Sequence, residues 1–279
     1  MPSLFLMATV KANNIFRFCI NQLNIDEKEA ITYILLEDAY GITKTDILLN
    51  KVFNLKQELL EGQLKRLNAQ EPIQQIVGFT YFSSRKFKVS KDVLIPRPET
   101  EEIIDLVKDF DSPKPSIIDI GTGSGCIAIT LALEIPNATV SALDVSKNAL
   151  KIAKQNAEDL KANVTFIEAD FLSYDEGNFD MIVSNPPYIK NSEREEMSKN
   201  VLDFEPALAL FVEDENPLIF YTTLAKYGKK HLNKEGFICV EINSYLGQET
   251  KEVFIQEGFR DVKLIKDFYD KDRFVTAKS

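Results

Sequence analysis

The chain has 279 residues, 44% hydrophobic and 27% charged, with a formal net charge of −10. This composition is that of a folded globular protein, and the length allows one large domain and a smaller one, at about 150 residues per domain. The acidic total disfavours a protein that sheathes nucleic acid, because phosphate binding normally requires a basic face. A local basic patch would not show in that total.

The inventory of cysteine and histidine restricts the possible chemistry. Cys19, Cys126 and Cys239 form neither a disulfide framework nor a Cys-x-x-Cys metal pattern, which favours a reducing cytoplasm. His231 is the only histidine, so the chain lacks the residues of a His-rich metal site, and a Ser-His-Asp triad is nearly excluded. We expect no metal, and we place His231 in the last turn of a helix before Gly236.

The apolar start of the chain, Met1 to Val10, raises the question of a signal peptide. It lacks a basic region, and an amphipathic pattern continues past it without an obvious processing site. No run reaches the roughly eighteen apolar residues of a membrane span. We therefore expect a cytoplasmic protein.

Residues 8 to about 70 have apolar residues at helical spacing and predict a small helical bundle. Gly41 is expected to end the second helix, and Thr43 or Thr45 to cap a short third one. A further helix is predicted over 55–67. The bundle is expected to dock a substrate or form a lid, although a purely structural cap is the alternative.

The helical pattern ends after the bundle, and a hairpin and an extended segment are predicted next. Pro72 breaks the helical pattern, and residues 79–82 and 86–89 predict a hairpin around Ser83 and Ser84. The stretch that follows, Leu94-Ile95-Pro96-Arg97-Pro98-Glu99-Thr100-Glu101-Glu102, is held extended by its prolines and then opens a helix with acidic residues. Arg97 and Glu99 are candidate substrate-binding residues of a cleft, and a simple loop-to-helix entry is equally compatible with the sequence.

From Ser116 onward, strands and helices alternate. The predicted strands are 117–120, 139–143, 164–167, 179–184 and 237–242, and the predicted helices are 126–134, 146–159, 217–232 and 247–256. This alternation predicts a mostly parallel, doubly wound sheet, and two last strands near 261–268 and 273–277 suggest an added antiparallel element.

A glycine-rich turn follows the first of these strands. Its pattern is Gly-x-Gly-x-Gly, and Cys126 stands where the third glycine of a dinucleotide fingerprint would be. Such a loop lets the backbone approach a ligand, but it suits a pyrophosphate less well than the amino-acid part of S-adenosylmethionine, whose ammonium group Asp119 could help hold. The predicted cofactor residues here are Asp119, Gly121, Thr122, Gly123, Ser124 and Gly125.

Three further residues follow the next two strands. The carboxylate of Asp144 can accept both ribose hydroxyls, as an acidic residue does in dinucleotide sites. Asp170 is a candidate acceptor for the adenine amino group, and Phe171 offers an apolar face for the ring. A helix cap and a core residue are the alternatives for this last pair.

The tetrapeptide Asn185-Pro186-Pro187-Tyr188 ends the apolar run 179–184. The prolines stop the strand, so the polar groups lie at its carboxyl end, where open α/β sheets place ligands. The Asn185 side-chain carbonyl and the Pro186 backbone carbonyl can each accept a hydrogen bond from one NH2 group, and Tyr188 can lie against its face. A common turn is the alternative for the tetrapeptide alone. Together with the glycine loop, it predicts methyl transfer to a planar nitrogen.

The chain resembles the release-factor glutamine methyltransferases over nearly its whole length. The resemblance is carried by Pro72-Ile73-Gln74-Gln75-Ile76-Val77-Gly78, Leu94-Ile95-Pro96-Arg97-Pro98-Glu99-Thr100-Glu101, Ile118-Asp119-Ile120-Gly121-Thr122-Gly123-Ser124-Gly125, Asn185-Pro186-Pro187-Tyr188-Ile189 and Phe204-Glu205-Pro206-Ala207-Leu208. Asn-Pro-Pro-Tyr alone is shared with DNA adenine methyltransferases, whereas the Ile-Pro-Arg-Pro-Glu-Thr-Glu segment is far more specific. Some relatives have Trp at the position of Phe171, a change that preserves a ring face.

The resemblance implies transfer of a methyl group from S-adenosylmethionine to the glutamine amide in the Gly-Gly-Gln motif of a class 1 peptide release factor. It implies a Rossmann-like class I methyltransferase domain, with a mostly parallel seven-stranded sheet, a small N-terminal helical bundle and a linking β-hairpin. Asn185, Pro186 and Tyr188 would be catalytic, Asn185 to Tyr188 would hold the glutamine, and Asn185 would also contact the cofactor. The predicted division is 1–77 for a substrate-docking domain, 78–92 for the linker and 93–279 for the catalytic domain.

Two other functions fit parts of the pattern. A DNA or RNA adenine methyltransferase needs a basic groove or a recognition domain and a means of flipping the base, and neither is visible in this acidic chain. A binding module without chemistry would not need both the glycine loop and Asn-Pro-Pro-Tyr. We expect a monomer, because no feature of the sequence suggests an interface.

Overall fold

The computed structural model describes residues 7–108, 110 and 112–279. The first six residues, most of the apolar start considered above, lie outside the described residues. Within the described ranges, no helix is both long and apolar enough to cross a membrane. The chain divides into two compact units: the described residues through Phe79 together with Ser198–Phe204, and Thr80–Met197 together with Glu205–Ser279.

The strands and helices alternate through most of the chain. The strands are β1 (Met7–Lys11), β2 (Val52–Lys56), β3 (Phe79–Phe82), β4 (Arg85–Lys88), β5 (Ser116–Ile120), β6 (Thr139–Asp144), β7 (Val164–Glu168), β8 (Phe179–Ser184), β9 (Ile189–Lys190), β10 (Phe211–Val212), β11 (Leu232–Glu241), β12 (Arg260–Lys266) and β13 (Asp272–Lys278). The helices are α1 (Ala12–Gln22), α2 (Lys28–Tyr40), α3 (Lys44–Leu48), α4 (Gln57–Asn68), α5 (Ile73–Val77), α6 (Glu102–Val107), α7 (Cys126–Glu134), α8 (Lys147–Leu160), α9 (Lys199–Leu202), α10 (Ile219–His231) and α11 (Gly247–Gln256).

The first unit is helical, as predicted, but it also contains a two-stranded antiparallel sheet of β1 and β2. The expectation of helix throughout residues 8–70 was wrong for these two segments. Of β2, only Leu55 is buried, so the strand is too short and too exposed to give a period-two pattern that differs from one helical turn. The helix predicted over 55–67 accordingly begins two residues later, at Gln57, and ends at Asn68.

The predicted ends of α2 and α3 are confirmed. Gly41 follows α2 with φ 66°, and its N–H donates to the carbonyls of the last helical turn, a conformation that glycine adopts without steric cost. Thr43 caps α3 in a capping box with Asp46, in which each side chain accepts from the other residue's backbone N–H.

The predicted hairpin is also present, with β4 beginning one residue earlier than expected. Ser83 and Ser84, at the turn, have φ 46° and 60°, the left-handed conformation of the tightest hairpin turns. The rings of Phe82 and Phe87, both fully buried, meet edge to face at 6.1 Å between centroids. These two rings anchor the hairpin in the core beside the large sheet.

The second unit is built on a seven-stranded sheet in the order β12-β13-β11-β8-β5-β6-β7. The strands from β11 to β7 are parallel, and β13 runs antiparallel to both β11 and β12. This confirms the predicted mostly parallel sheet with an antiparallel addition. Ile117 and Ile118 are fully buried on opposite faces, which explains the continuous apolar run of β5, because both faces of the sheet are covered.

The connections around β5 position the functional site. From β5 the chain continues to β6 on one side, while β8 pairs with β5 on the other. At such a point the loops after adjacent strands diverge and leave a crevice at their carboxyl ends. Ser184 at the end of β8 pairs with Ile120 at the end of β5, and its hydroxyl donates to the Ile120 carbonyl at 2.7 Å. The glycine loop and Asn-Pro-Pro-Tyr therefore begin side by side.

Candidate active site

A cavity of about 300 Å³ lies in the second unit at the carboxyl ends of β5, β6 and β8. Its walls include most of the segments that the sequence singled out, with further residues from the extended segment before α6 and from the loop after α9. The lining residues are Asp92, Val93, Leu94, Ile120, Gly121, Gly123, Leu143, Asp144, Val145, Ser146, Ala149, Asp170, Phe171, Leu172, Ser184, Asn185, Pro186, Pro187, Pro206, Leu208, Ala209 and Phe220. The volume is at the lower end of the roughly 300–1,000 Å³ of small-molecule sites.

The glycine loop is held against the end of β6. The backbone N–H groups of Gly121 and Thr122 donate to the Leu143 carbonyl at 2.8 and 3.0 Å. Gly121, Gly123 and Gly125 have φ of 74°, 56° and 82°, which other residues adopt only with strain. A side-chain carbon at Gly123 would meet no atom within 4 Å. There is thus open space where the loop faces the cavity.

Gly125 is required for a different reason. It stands immediately before α7, and a Cβ there would lie 2.9 Å from Ile129 Cδ1 and 3.1 Å from Ala153 Cβ. The glycine lets α8 pack closely on the start of α7. Gly125, Thr122 and Ser124 do not line the cavity, so their part in cofactor binding stays a prediction.

Asp119 lies beneath the loop and is fully buried. One carboxylate oxygen accepts from the Thr122 hydroxyl at 2.6 Å and from the Ala128 N–H at 3.2 Å, and the other has no partner among the described residues. Burial raises the pKa of Asp119 to about 7, although both hydrogen bonds lower it. Asp119 braces the loop from behind and is not part of the cavity wall. Contact with a ligand's ammonium group stays a prediction.

Asp144 lies directly on the cavity wall, half-buried. Its two oxygens accept from the N–H groups of Gly123 and Ser146, each at 2.8 Å. Burial raises the pKa of this carboxyl, and the backbone hydrogen bonds oppose the rise. Because an ionised carboxylate has about four acceptor positions, each oxygen can still accept one hydroxyl.

Asp170 and Phe171 both line the cavity. Each also has the structural role given above as the alternative, Asp170 as a helix cap and Phe171 as a core residue. Asp170 accepts from the Leu172 N–H at 3.0 Å and so caps the short 3-10 turn Phe171–Ser173. Phe171 is 5% exposed and packs edge to face on Tyr227 at 5.5 Å. Its ring is thus fixed at the cavity wall.

The tetrapeptide after β8 contributes three residues to the cavity wall, and its fourth residue is partly buried beside Glu241. Asn185, Pro186 and Pro187 line the cavity, whereas Tyr188 does not. The Tyr188 hydroxyl donates to Glu241 Oε1 at 3.0 Å, and burial, together with the Glu241 charge, raises the Tyr188 pKa well above its usual range. Tyr188 is therefore a neutral hydroxyl with a fixed partner.

Arg97 and Glu99 lie outside the cavity lining. The Arg97 guanidinium pairs with Glu205 Oε1 at 2.5 Å, and the other Glu205 oxygen accepts from the Ile95 N–H at 3.0 Å. The Glu205 side chain is 1% exposed. Through this carboxylate, the extended segment before α6 is fixed to the loop whose Pro206 and Leu208 form part of the wall.

Sequence reasoning did not identify Thr100, Glu205 and Glu241 as parts of the site. All three are buried polar residues. Thr100 and Glu205 belong to the two segments flanking the site that also carry the family resemblance. Glu241 is the last residue of β11 and follows the apolar run of that strand, a position that marks the carboxyl edge of the sheet.

The matched families agree with this architecture. Residues 14–78 match the family "PrmC N-terminal domain", and residues 103–204 match the family "Methyltransferase small domain". Together they cover the helical unit and the part of the sheet that carries the cavity.

Two curated relatives are similar over nearly the whole chain. A release factor glutamine methyltransferase of Bacteroides thetaiotaomicron is 45% identical over 258 residues, which are 90% of this chain and 93% of the relative. One of Flavobacterium psychrophilum is 44% identical over 262 residues, covering 90% and 92%. Among solved structures, a methyltransferase from Pyrococcus furiosus aligns with a TM-score of 0.52 at 22% identity, covering 69% of this chain and 87% of that one.

The mostly parallel seven-stranded sheet is Rossmann-like, and the match of residues 103–204 to the methyltransferase small domain indicates a class I methyltransferase. Within that class, the identity over most of both chains is decisive. The chain belongs to the release factor glutamine methyltransferase family.

Proposed function

We propose that this protein transfers a methyl group from S-adenosylmethionine to the side-chain amide nitrogen of a glutamine in a class 1 peptide release factor. The observation that carries the proposal is the meeting of Asn185 and Pro186 with the glycine loop around one cavity. That arrangement serves a donor and an acceptor at adjacent strand ends, and the family relationship indicates glutamine as the acceptor.

The residues of the wall suit the cofactor. Gly121 and Gly123 offer backbone that a ligand can approach, Asp144 has free acceptor positions for two hydroxyls, and Phe171 and Leu172 give apolar surface near the acceptor Asp170. S-adenosylmethionine supplies the methyl group on a positively charged sulfur. We assign the cofactor to the part of the cavity between the glycine loop and Asp144.

Asn185 and Pro186 orient the acceptor amide. The Asn185 side-chain oxygen and the Pro186 carbonyl each accept one hydrogen of the glutamine NH2, which points the nitrogen lone pair at the methyl group. An amide nitrogen is a poor nucleophile because its lone pair is delocalised. The two acceptors stabilise the positive charge that develops on it as the methyl arrives. Transfer would break the methyl–sulfur bond as the methyl–nitrogen bond forms, with the neutral thioether as the leaving group. The extra proton on the nitrogen would then pass to water, so no strong base is needed.

The helical unit is assigned to docking of the protein substrate. It has a cavity of about 400 Å³, lined by Asn24, Ile25, Asp26, Ile31, Leu67, Gln70, Glu71, Pro72, Ile73, Gln74 and Asn200. The mixture of amides, carboxylates and apolar residues suits a polypeptide better than a phosphate backbone, because it contains no Lys or Arg. Since release factors act in translation, we place the reaction in the cytoplasm.

The decisive experiment is mass spectrometry of acceptors incubated with the protein and S-adenosylmethionine. The acceptors are a purified class 1 release factor, the same factor with its Gly-Gly-Gln glutamine changed to alanine, and adenine-containing duplex DNA. We expect one added methyl group on the first acceptor alone. Methylated adenine with an untouched release factor would refute the proposal.

The matched enzyme variant is Asn185→Ala. Loss of one preorganised acceptor is expected to lower kcat by about 100-fold or more, while the Kd for S-adenosylmethionine changes less than about threefold, because other residues hold the cofactor. Equal losses of turnover and cofactor affinity would contradict this division of roles.

A further inference from the structure

A chain of hydrogen bonds leads from Asn185 through Thr100 to Glu241, and its link between Thr100 and Glu241 is buried. Asn185 Nδ2 donates to Thr100 Oγ1 at 3.3 Å, and Thr100 Oγ1 donates to Glu241 Oε2 at 2.6 Å. The other oxygen of Glu241 accepts from the Tyr188 hydroxyl at 3.0 Å. Thr100 and Glu241 are each 2% exposed, so water does not compete for these positions.

The direction of this chain follows from the number of protons available. A threonine hydroxyl has a single proton, and the Thr100 hydroxyl uses it in the hydrogen bond to Glu241. Towards Asn185, the hydroxyl therefore presents only lone pairs. If the Asn185 amide were turned over, its oxygen would face the Thr100 oxygen with no proton between them, which is unfavourable in a buried site. Only the orientation with Nδ2 towards Thr100 is satisfied.

The orientation of the Asn185 amide also determines which of its atoms faces the cavity. Asn185 lines the cavity, and among the described residues its Oδ1 has no hydrogen-bond partner. With Nδ2 held by Thr100, Oδ1 is the atom left to accept a hydrogen from an incoming NH2 group. In the opposite orientation, two NH2 groups would face each other, and the acceptor nitrogen would lose one of its two contacts.

We propose that Thr100 and Glu241 are positioning residues, which fix the amide of Asn185 with its oxygen towards the acceptor nitrogen. The inference rests on the proposed function, because it is Asn185 that holds the acceptor there. Neither residue lines the cavity; Glu241 acts through Thr100, and it also holds the hydroxyl of Tyr188.

A carboxylate suits the end of this chain because it is an acceptor only. Each of its two oxygens accepts one hydrogen bond, from the hydroxyl of Thr100 or from that of Tyr188. A glutamine has a single acceptor oxygen for these two donors. Burial raises the pKa of Glu241, while the hydrogen bonds from Thr100 and Tyr188 and the charge of Arg273 lower it. Arg273 is itself held by Asp267 at 2.9 Å.

The first test compares Thr100→Val with Thr100→Ser. Valine keeps the shape of threonine and removes the hydroxyl, whereas serine keeps the hydroxyl. We expect Thr100→Val to lower kcat by about tenfold or more, the value of one hydrogen bond, with the Kd for S-adenosylmethionine unchanged within about twofold. Thr100→Ser should recover kcat to within about threefold of the wild type. A Thr100→Val enzyme that turns over like the wild type, or equal losses in both variants, would overturn the proposal.

The second test needs no turnover and uses the protein without cofactor. In protein labelled with 15N-asparagine, the Asn185 side-chain NH2 signal is identified by its loss in Asn185→Ala. We expect Thr100→Val and Glu241→Gln to shift this signal and speed its hydrogen exchange, and Thr100→Ser to preserve it. An unchanged signal in both of the first two variants would overturn the proposal.

The two tests also separate this inference from the proposed function. If the wild type methylates no release factor but the Asn185 signal responds as expected, the substrate assignment fails and the orienting role stands. If the wild type methylates the release factor and the signal does not respond, the function stands and the role of Thr100 and Glu241 fails.

Discussion

Asp144→Ala tests the assignment of the cofactor to the cavity between the glycine loop and β6. The alanine removes a carboxylate that holds the Gly123 and Ser146 N–H groups at 2.8 Å and has acceptor positions left for two ribose hydroxyls. A hydrogen bond to a charged group contributes about 1.5–3 kcal/mol. Two bonds at the lower value give about 3 kcal/mol, which weakens the Kd for S-adenosylmethionine by roughly 100-fold.

Isothermal titration calorimetry of the purified variant measures this change directly. The matched control is Asp105→Ala, which removes the same charge from a side chain that is 70% exposed and lies outside the cavity lining; its Kd should equal that of the wild type. At saturating cofactor, kcat of Asp144→Ala should fall less than about fivefold, because we assign the acceptor amide to Asn185 and Pro186. A Kd within about threefold of the wild type would refute the assignment of Asp144 to the ribose.

Three further predictions concern stability. Arg97→Leu leaves the buried Glu205 carboxylate without its cation. We expect the free energy of unfolding to fall by about 2 kcal/mol and the thermal unfolding midpoint by roughly 4–8 °C. Glu99→Gln is the control and should leave the midpoint unchanged, and equal midpoints for the two variants would contradict the structural role of the pair. Gly125→Ala should lower the midpoint and the yield of folded protein, because its Cβ would lie 2.9 Å from Ile129 Cδ1 at φ 82°; an unchanged midpoint would show that the helices can separate freely. Hydrogen bonds from Lys51, and then from Thr43, lower the pKa of Asp46 to about 2, so its stabilising effect is complete above about pH 4 and is lost as the pH falls towards 2. The difference in unfolding midpoint between the wild type and Asp46→Asn should shrink over that range, and a difference independent of pH would contradict the shifted pKa.

Elements with local boundary signals could be predicted from the sequence. Helices α7 and α11 and strand β8 have the predicted bounds, because each has a glycine or prolines at or near one end. Gly125 directly precedes α7, Gly247 is the first residue of α11, and Pro186 and Pro187 follow β8 after one intervening residue. The short pair β1 and β2 was missed for the opposite reason. Its stability depends on pairing across the chain rather than on a pattern within either segment.

Within the candidate site, too, the residues with local sequence signals could be predicted, whereas the contacts between distant residues could not. The glycine loop, Asp144 and Asn185 follow predicted strands, and their position at one sheet edge follows from parallel topology. The contact between Thr100 and Glu241 joins residues 141 positions apart, and nothing near either residue indicates the other. For the same reason, Arg97 was considered as a cleft residue, whereas its observed partner, Glu205, lies 108 positions further on.

The discontinuity of the first unit has a consequence for biosynthesis. Residues 198–204 belong to that unit together with the residues through Phe79, and Gln75 Nε2 donates to the Phe204 carbonyl at 2.8 Å. During translation, the helical unit must wait for more than a hundred further residues before this acceptor leaves the ribosome. Its last contacts therefore form only after β5 to β8 have emerged, so the N-terminal unit is completed late although most of it is made first.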